Sequence, residues 1–153
     1  MIKTRLFKYR PNAYHHVVFA TKRRKKVLVG EIRERVHFWL GELAREHNFQ
    51  LEEYNSWLDH VHMLIFVRKG EDLSRIMNIL KGTTARRIFE EFEELKMQIG
   101  EEHLWGRRFR AEEVHEEEIE AVRRYIRSQE AIHRRRMGYE PLARLEQWRD
   151  LAD

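Results

Sequence analysis

His60 and His62 flank Val61 in a short apolar run, D-H-V-H-M-L at 59–64. Along a strand, alternation turns both imidazoles to one face and Val61 to the other. Two neutral imidazoles so placed can share one divalent cation. Asp59, directly before them, can accept from an imidazole N–H and orient the ring. The same three residues also read as two packed or surface histidines, and the pattern alone does not decide between these.

A second pair lies further along the chain. Ile119, Val122, Ile126 and Ile132 recur at helical spacing. At about 100° per residue, Tyr125 and Gln129 fall in or beside that stripe, with Arg123, Arg124, Arg127 and Glu130 opposite. Tyr125 and Gln129 are i,i+4 neighbours, so both project from one patch. A buried amide needs a partner. A metal is one; a backbone hydrogen bond at a helix–sheet contact is another. A tyrosine in this setting also reads as an amphipathic anchor with its hydroxyl in water.

The elements that would carry these residues follow from hydrophobic periodicity. Ala13 to Ala20 reads as a strand, followed by a basic loop at 21–27. Ile32, Val36, Trp39, Leu40, Leu43 and His47 mark a first helix. Phe49 to Leu58 and Val61 to Val67 read as strands joined by a tight hairpin near Leu58-Asp59. The second of these is apolar on both faces and so should be central. Leu73, Ile76, Met77, Leu80, Thr84 and Ile88 mark a second long helix. Leu104 to Val114 reads as a fourth strand with Trp105 and Phe109 on one face. A third helix spans 116–136, and the tail 137–153 is expected to add a short helix at 141–151. The order β-α-β-β-α-β-α predicts an α+β chain with a ferredoxin-like, RRM-like antiparallel sheet and an additional C-terminal helix carrying Tyr125. That fold hosts many functions.

The 153 residues fit a single domain, and 42% hydrophobic content predicts a globular one. With no cysteine, disulfides and thiolate metal sites are excluded. The opening MIKTRLFKYR lacks an apolar signal core, and no apolar run approaches membrane-spanning length, so a cytoplasmic protein is expected. Charged residues are 37% of the chain, and they cluster. Basic runs at Lys22 to Lys26, Arg107 to Arg110 and Arg134 to Arg136 alternate with acidic ones at Glu90 to Glu94 and Glu112 to Glu118. Such segregation fits either a basic face for a polyanion or a set of solvated, salt-rich surfaces.

Taken together, the two pairs resemble the HUH single-tyrosine transposases of the insertion-sequence 200/605 family. That family places a His-hydrophobic-His strand ahead of a helix bearing Tyr-x-x-x-Gln. Here these are D-H-V-H-M-L at 59–64 and Y-I-R-S-Q at 125–129. Y-H-H-V-V-F-A-T-K-R-R-K-K-V-L at 14–28, L-K-G-T-T-A-R at 80–86 and L-W at 104–105 are similar to further family motifs, in the same order. The resemblance implies one transposase domain over 1–153. It implies His60, His62 and Gln129 as metal ligands and Tyr125 as nucleophile. It further implies Lys22, Arg23, Arg24, Lys25, Lys26, Lys81, Arg86 and Arg87 as contacts to the DNA backbone, and a homodimer. Two departures stand out. The segment A-E-E-V-H-E-E-E at 111–118 has no glycine, where the family commonly does, so the tyrosine helix is expected to be more fixed or supplied in cis. Thr21 and Arg23 stand where the family often has Pro and Tyr.

The implied chemistry is coherent. A free tyrosine titrates near pH 10 and is a poor nucleophile at neutral pH. A divalent cation acts as a Lewis acid on the scissile phosphate. Two imidazoles and an amide are neutral and leave the cation its full charge. Mg²⁺ or Mn²⁺ is expected. The implied product is a 5′-phosphotyrosine with a free 3′-hydroxyl, which a second strand can reverse, and the implied substrate is single-stranded or hairpin DNA. Trp105 and Phe109 are either base-stacking aromatics or core. Other functions fit less of the sequence. A non-catalytic RRM-like binder of single strands accounts for the basic loop and the fold, but not for the histidine pair combined with Tyr125 and Gln129. A domesticated nickase acting on palindromic repeats would use the same residues.

Overall fold

The alternation of one central strand divides the molecule into two layers. In the computed structural model, which describes residues 9–136, β1 (Ala13–Ala20), β2 (Gln50–Trp57), β3 (His60–Val67) and β4 (Arg110–Val114) form one antiparallel sheet in the order β2-β3-β1-β4. Val61, Met63, Ile65 and Val67 of β3, with Val17 and Phe19 of β1, point to the layer formed by α1 (Gly30–Glu46) and α2 (Leu73–Glu91). Val36, Leu40 and Leu43 of α1 and Ile76, Met77, Leu80 and Ile88 of α2 close this main core. β3 is buried on both faces, as its unbroken apolar run requires. The fold is therefore the expected α+β, ferredoxin-like one.

The opposite face carries the polar residues. Val18 lies across from His62 and Ala20 across from His60. On the other side Asn55 pairs with His62 and Trp57 with His60. Small residues on β1 thus leave room above the two imidazoles. Two further helices, α4 (Ile119–Arg127) and α5 (Gln129–Arg136), cover this face. Ile126 of α4 is fully buried against Leu64 and Val114, with Tyr14, Ile119 and Val122 around it. The sheet face that an RRM-like binder would offer to a nucleic acid is thus occupied by the chain's own helices.

Three expectations need correction. The fourth strand is shorter than 104–114. It begins at Arg110, and Trp105 makes only an isolated bridge to Thr21. The cause is Trp105 itself, which turns into the core, packs edge-on against Phe19 at 4.8 Å and donates from Nε1 to Thr84 Oγ1 at 2.9 Å. A five-residue helix, α3 (Leu95–Ile99), precedes this segment and was not expected. It is anchored by buried Leu95 and ends on Gly100 in the left-handed region, φ 70°.

The third correction concerns the helix at 116–136, which is not continuous. A 3₁₀ turn (Glu116–Glu118) precedes α4, and Ser128 breaks the path between α4 and α5 with φ −98°, ψ 20°. The last four carbonyls of a helix lack partners within it. Arg124 O keeps its regular i→i−4 partner, and the other three are met by side chains from outside the ladder. The Ser128 N–H takes Arg124 O at 3.1 Å. The Gln129 side chain takes Tyr125 O at 3.0 Å. The Asn55 side chain takes Ile126 O at 2.9 Å and Arg127 O at 3.1 Å. The short helix expected at 141–151 lies outside the described residues.

Candidate active site

The β2–β3 hairpin sets the geometry. Asp59 at its tip turns its carboxylate back onto the strand, where Nδ1 of His60 approaches Oδ1 at 2.8 Å. The same carboxylate receives Nε and Nη2 of Arg24, both at 3.1 Å. This bidentate fork fixes the carboxylate plane. Burial pushes the Asp59 carboxyl up, but the hydrogen bonds from His60 and Arg24 outweigh it, so Asp59 is held below the usual carboxylate range. Asp59 is thus a fixed acceptor that orients one imidazole.

Arg24 reaches this position through its loop. Arg23 and Arg24 both adopt left-handed backbone, φ 52° and 53°. That conformation is costly for residues with a Cβ. It is held by Thr21, whose N–H donates to Asp59 O at 2.9 Å and whose hydroxyl donates to Lys25 O at 2.7 Å. The Leu28 N–H closes the loop on Leu58 O at 2.9 Å. The basic loop is therefore pinned to the hairpin beside His60.

His62 is oriented from the other side. Its Nδ1 lies 2.9 Å from Nε2 of His16 on β1, with the two rings stacked at 5.1 Å. With the Nδ1 atoms turned to Asp59 and His16, the buried Nε2 atoms are what His60 and His62 present to the centre of the site. A third imidazole joins them from α5. One ligand atom from each of His60, His62 and His133 lies within 4.8 Å of the others. His133 stacks on Trp57, centroids 5.3 Å apart and planes 2° from parallel. Its Nε2 lies 3.1 Å from Gln129 Oε1.

Tyr125 is half-buried over the same rings, with its own ring edge-on to His62 at 5.5 Å and to His16 at 5.9 Å. Gln129 is fully buried, and its amide bridges Tyr125 O and His133. The helix carrying Tyr125 is clasped to β2. Arg123 reaches Glu52 at 2.9 Å and Glu53 at 3.7 Å, and Arg127 reaches Glu53 at 3.1 Å.

The chain could hold a divalent cation here. Two nitrogens bonded at about 2.1 Å to one ion can lie at most about 4.2 Å apart. The observed set within 4.8 Å needs only a few tenths of an ångström to close. All three donors are neutral-capable imidazoles, two of them already oriented through Nδ1.

The remaining residues expected at the site divide. Arg23, Lys25 and Lys26 are exposed beside the hairpin, and Lys22 is half-buried there. Arg24 is engaged with Asp59. Lys81 is turned inward, donating to Gly106 O at 2.7 Å and Arg108 O at 3.0 Å, and burial pulls its amine down to about 8. Arg86 and Arg87 lie on α2, in the layer behind the sheet, with Arg87 over the Trp39 ring. Trp105 is core, and Phe109 packs against Tyr9. Sequence reasoning did not find His16 and His133. His133 had a signal, since it continues the i,i+4 series Tyr125, Gln129, His133. His16 had only its place in the strand Y-H-H-V-V-F-A.

The family described as "Transposase IS200 like" matches residues 9–129. Over 96 residues the chain is 32% identical to the transposase for insertion sequence element IS200 of Salmonella typhimurium, which takes in 63% of this chain and 63% of that one. It is 28% identical over 115 residues to the ISDra2 transposase TnpA of Deinococcus radiodurans, covering 75% of this chain and 82% of the relative. A crystal structure of a Deinococcus radiodurans protein described as a transposase superposes with a TM-score of 0.63 at 28% identity, covering 80% of this chain and 94% of that one. A REP-associated tyrosine transposase bound to a REP hairpin shares the fold, with a TM-score of 0.59 at 14% identity, covering 82% and 70%. This chain belongs to the IS200-like transposase family, the HUH group of the insertion-sequence 200/605 type. It spans less than two thirds of the Salmonella relative's length.

Proposed function

We propose that the protein is a metal-dependent single-strand DNA transposase in which Tyr125 is the nucleophile. The observation that carries this reading is the convergence of Tyr125 with His60 and His62 on one face of the sheet, from elements far apart in the chain. In the reaction, Tyr125 Oη attacks the phosphorus of a DNA phosphodiester. The new bond joins tyrosine to the 5′ phosphate. The bond to the 3′ oxygen breaks, and that oxygen leaves as a 3′-hydroxyl after taking a proton. A 3′-hydroxyl then attacks the phosphotyrosine, restoring the diester and freeing Tyr125. The diester energy is stored in the covalent bond, so strand transfer needs no ATP.

His60 and His62 would hold Mg²⁺ or Mn²⁺, which when bound supplies Lewis-acid polarisation of the scissile phosphate. Asp59 and His16 fix the two rings before substrate arrives, so little reorganisation is needed on binding. Exposed Arg23, Lys25 and Lys26, beside His60, suit the DNA backbone. Single-stranded or hairpin DNA is the substrate that fits, because α4 and α5 leave no broad face for a duplex. The contacts of α4 with β2 of the same chain support delivery of Tyr125 in cis. A homodimer would then present one whole site per subunit. Among the described residues no helix is long and apolar enough to cross a membrane, and action in the cytoplasm is part of the proposal.

The test is incubation with hairpin-bearing single-stranded DNA and Mn²⁺, followed by denaturing electrophoresis. The wild type should form a denaturant-stable adduct and Tyr125→Phe none. An adduct retained by Tyr125→Phe sinks the assignment.

A further inference from the structure

The strand pairing beside β1 is interrupted between Trp105 and Arg110. Thr21 pairs with Trp105 and Val18 with Arg110, so three steps along β1 are matched by five along its neighbour. That segment holds two residues more than a continuous ladder would. Such a bulge throws side chains off the sheet edge and re-aims them. Both of its ends are anchored, since Trp105 is core and Phe109 packs on Tyr9. Between these anchors Arg107 and Arg108 are exposed. The Lys81 amine fills the bulge from α2. It donates to Gly106 O at 2.7 Å and to Arg108 O at 3.0 Å, and it lies 5.9 Å from the Phe19 ring centroid.

The bulge is also joined to the basic loop at 21–27. The Lys22 N–H donates to Leu104 O and the Gly106 N–H to Ala20 O, both at 2.9 Å. Ala20 lies across from His60, and Thr21 ties the same loop to Asp59 O. The two basic segments therefore stand side by side at the His60 end of the sheet. The bulge begins two strand spacings from β3, about 10 Å away. Among the described residues no acidic side chain pairs with Lys25, Lys26 or Arg107. Elsewhere Arg10, Arg35, Arg68 and Arg123 each meet a glutamate. Cations held close together without acidic partners raise the local potential and suit a polyanion.

We infer that the 106–110 bulge is a second arm for the phosphate backbone of the single strand, and that Lys81 is a positioning residue that holds this arm from beneath. With the 22–26 loop it forms one track leading past His60. The inference rests on the reading of the protein as a single-strand DNA transposase, and it says where the strand runs beside the site. Arg107 and Arg108 would fix the path and register of the strand and carry no sequence information, as phosphate contacts do. Because Lys81 and the Lys22–Leu104 bond set the shape of the track beforehand, little ordering is left for the moment of binding.

The experiment is fluorescence anisotropy of the full chain with hairpin-bearing single-stranded DNA, in EDTA across a salt series, so that binding is read without cleavage. Circular dichroism establishes that each variant is folded. Arg107→Ala with Arg108→Ala should lower the slope of log affinity against log salt by about 1.4 and weaken binding roughly tenfold or more at about 0.1 M salt. The control is Lys69→Ala with Arg75→Ala, which removes the same charge from exposed positions away from the two basic segments and should leave the slope near that of the wild type. Lys81→Met keeps every surface cation, so it should weaken binding a few-fold with the slope unchanged. Added to the arginine pair it should cost little more, because both changes act through one arm, whereas a general loss of stability would add to it. A wild-type slope and affinity in the arginine pair, or an equal slope loss in the control, overturns the arm. Additive losses overturn the role of Lys81. In each case the wild type still binds and Tyr125 still forms its adduct, so the proposed function stands. A wild type that binds no single-stranded DNA would bring down both.

Discussion

The side-chain amide of Asn55 donates to the carbonyl of Ile126 at 2.9 Å, on the residue directly after Tyr125. Asn55 lies on β2, across from His62. One residue therefore ties the end of the tyrosine helix to the strand neighbouring the histidines. Its Oδ1 is held in turn by Arg33 at 2.8 Å. Replacing Asn55 with Ala leaves the Ile126 and Arg127 carbonyls without this donor, which should cost about 1–3 kcal/mol. Urea denaturation measures that cost. Adduct formation should fall further than stability alone explains, because the helix end above His62 is loosened. Unchanged adduct kinetics in a folded Asn55→Ala would show that this tie does not position Tyr125.

Asp59 offers a separate test of the proposed metal site. Asp59→Ala removes the acceptor that fixes His60, and Mn²⁺ affinity should drop roughly 10–100-fold, as for other outer partners of metal ligands. Arg24→Gln keeps the carboxylate but loosens it, and should give a smaller loss. Calorimetric titration with Mn²⁺ reads both. An equal effect of the two would mean that Arg24, not the carboxylate, governs the ring.

The basic residues should separate into two groups. Lys25→Ala with Lys26→Ala should weaken single-strand binding and reduce the slope of log affinity against log salt by about 1.4, since each phosphate contact on a single strand contributes about 0.7. Lys81→Met should leave that slope unchanged and instead destabilise the fold by about 1–3 kcal/mol, because two carbonyls of the 104–109 segment lose their donor. Fluorescence anisotropy across a salt series distinguishes the two.

Stability should fall in mild acid, and His37 is a main reason. Burial, helped by nearby Arg33, lowers its imidazole to about 4, and its Nε2 is 2.8 Å from Ser56 Oγ. Below the ordinary value of 6.5 the unfolded chain takes up a proton that the folded one refuses. The contribution is therefore intact above pH 6.5 and is lost progressively down to about pH 4. The slope allows a loss of about 2–3 kcal/mol over that window. Denaturant melts of wild type and His37→Gln at several pH values should converge as pH falls. Parallel curves would assign the acid sensitivity elsewhere.

The sequence by itself determined which residues share a face. Strand alternation puts His60 and His62 on one side whatever the rest of the chain does, and helical spacing puts Tyr125, Gln129 and His133 on one stripe. Those are local rules of backbone geometry. The tertiary structure alone decided which faces meet. His16 reaches His62 only because β1 pairs with β3 in one register, and a shift by a single residue would turn it away. Arg24 reaches Asp59 only through two left-handed residues in a loop pinned to the hairpin. The break at Ser128 left no trace in the periodicity, because side chains of Gln129 and Asn55 replace the backbone bonds while the apolar stripe continues past it. Trp105 could not be assigned from its strand pattern either, since the hydroxyl of Thr84 that receives its N–H comes from a helix in another layer.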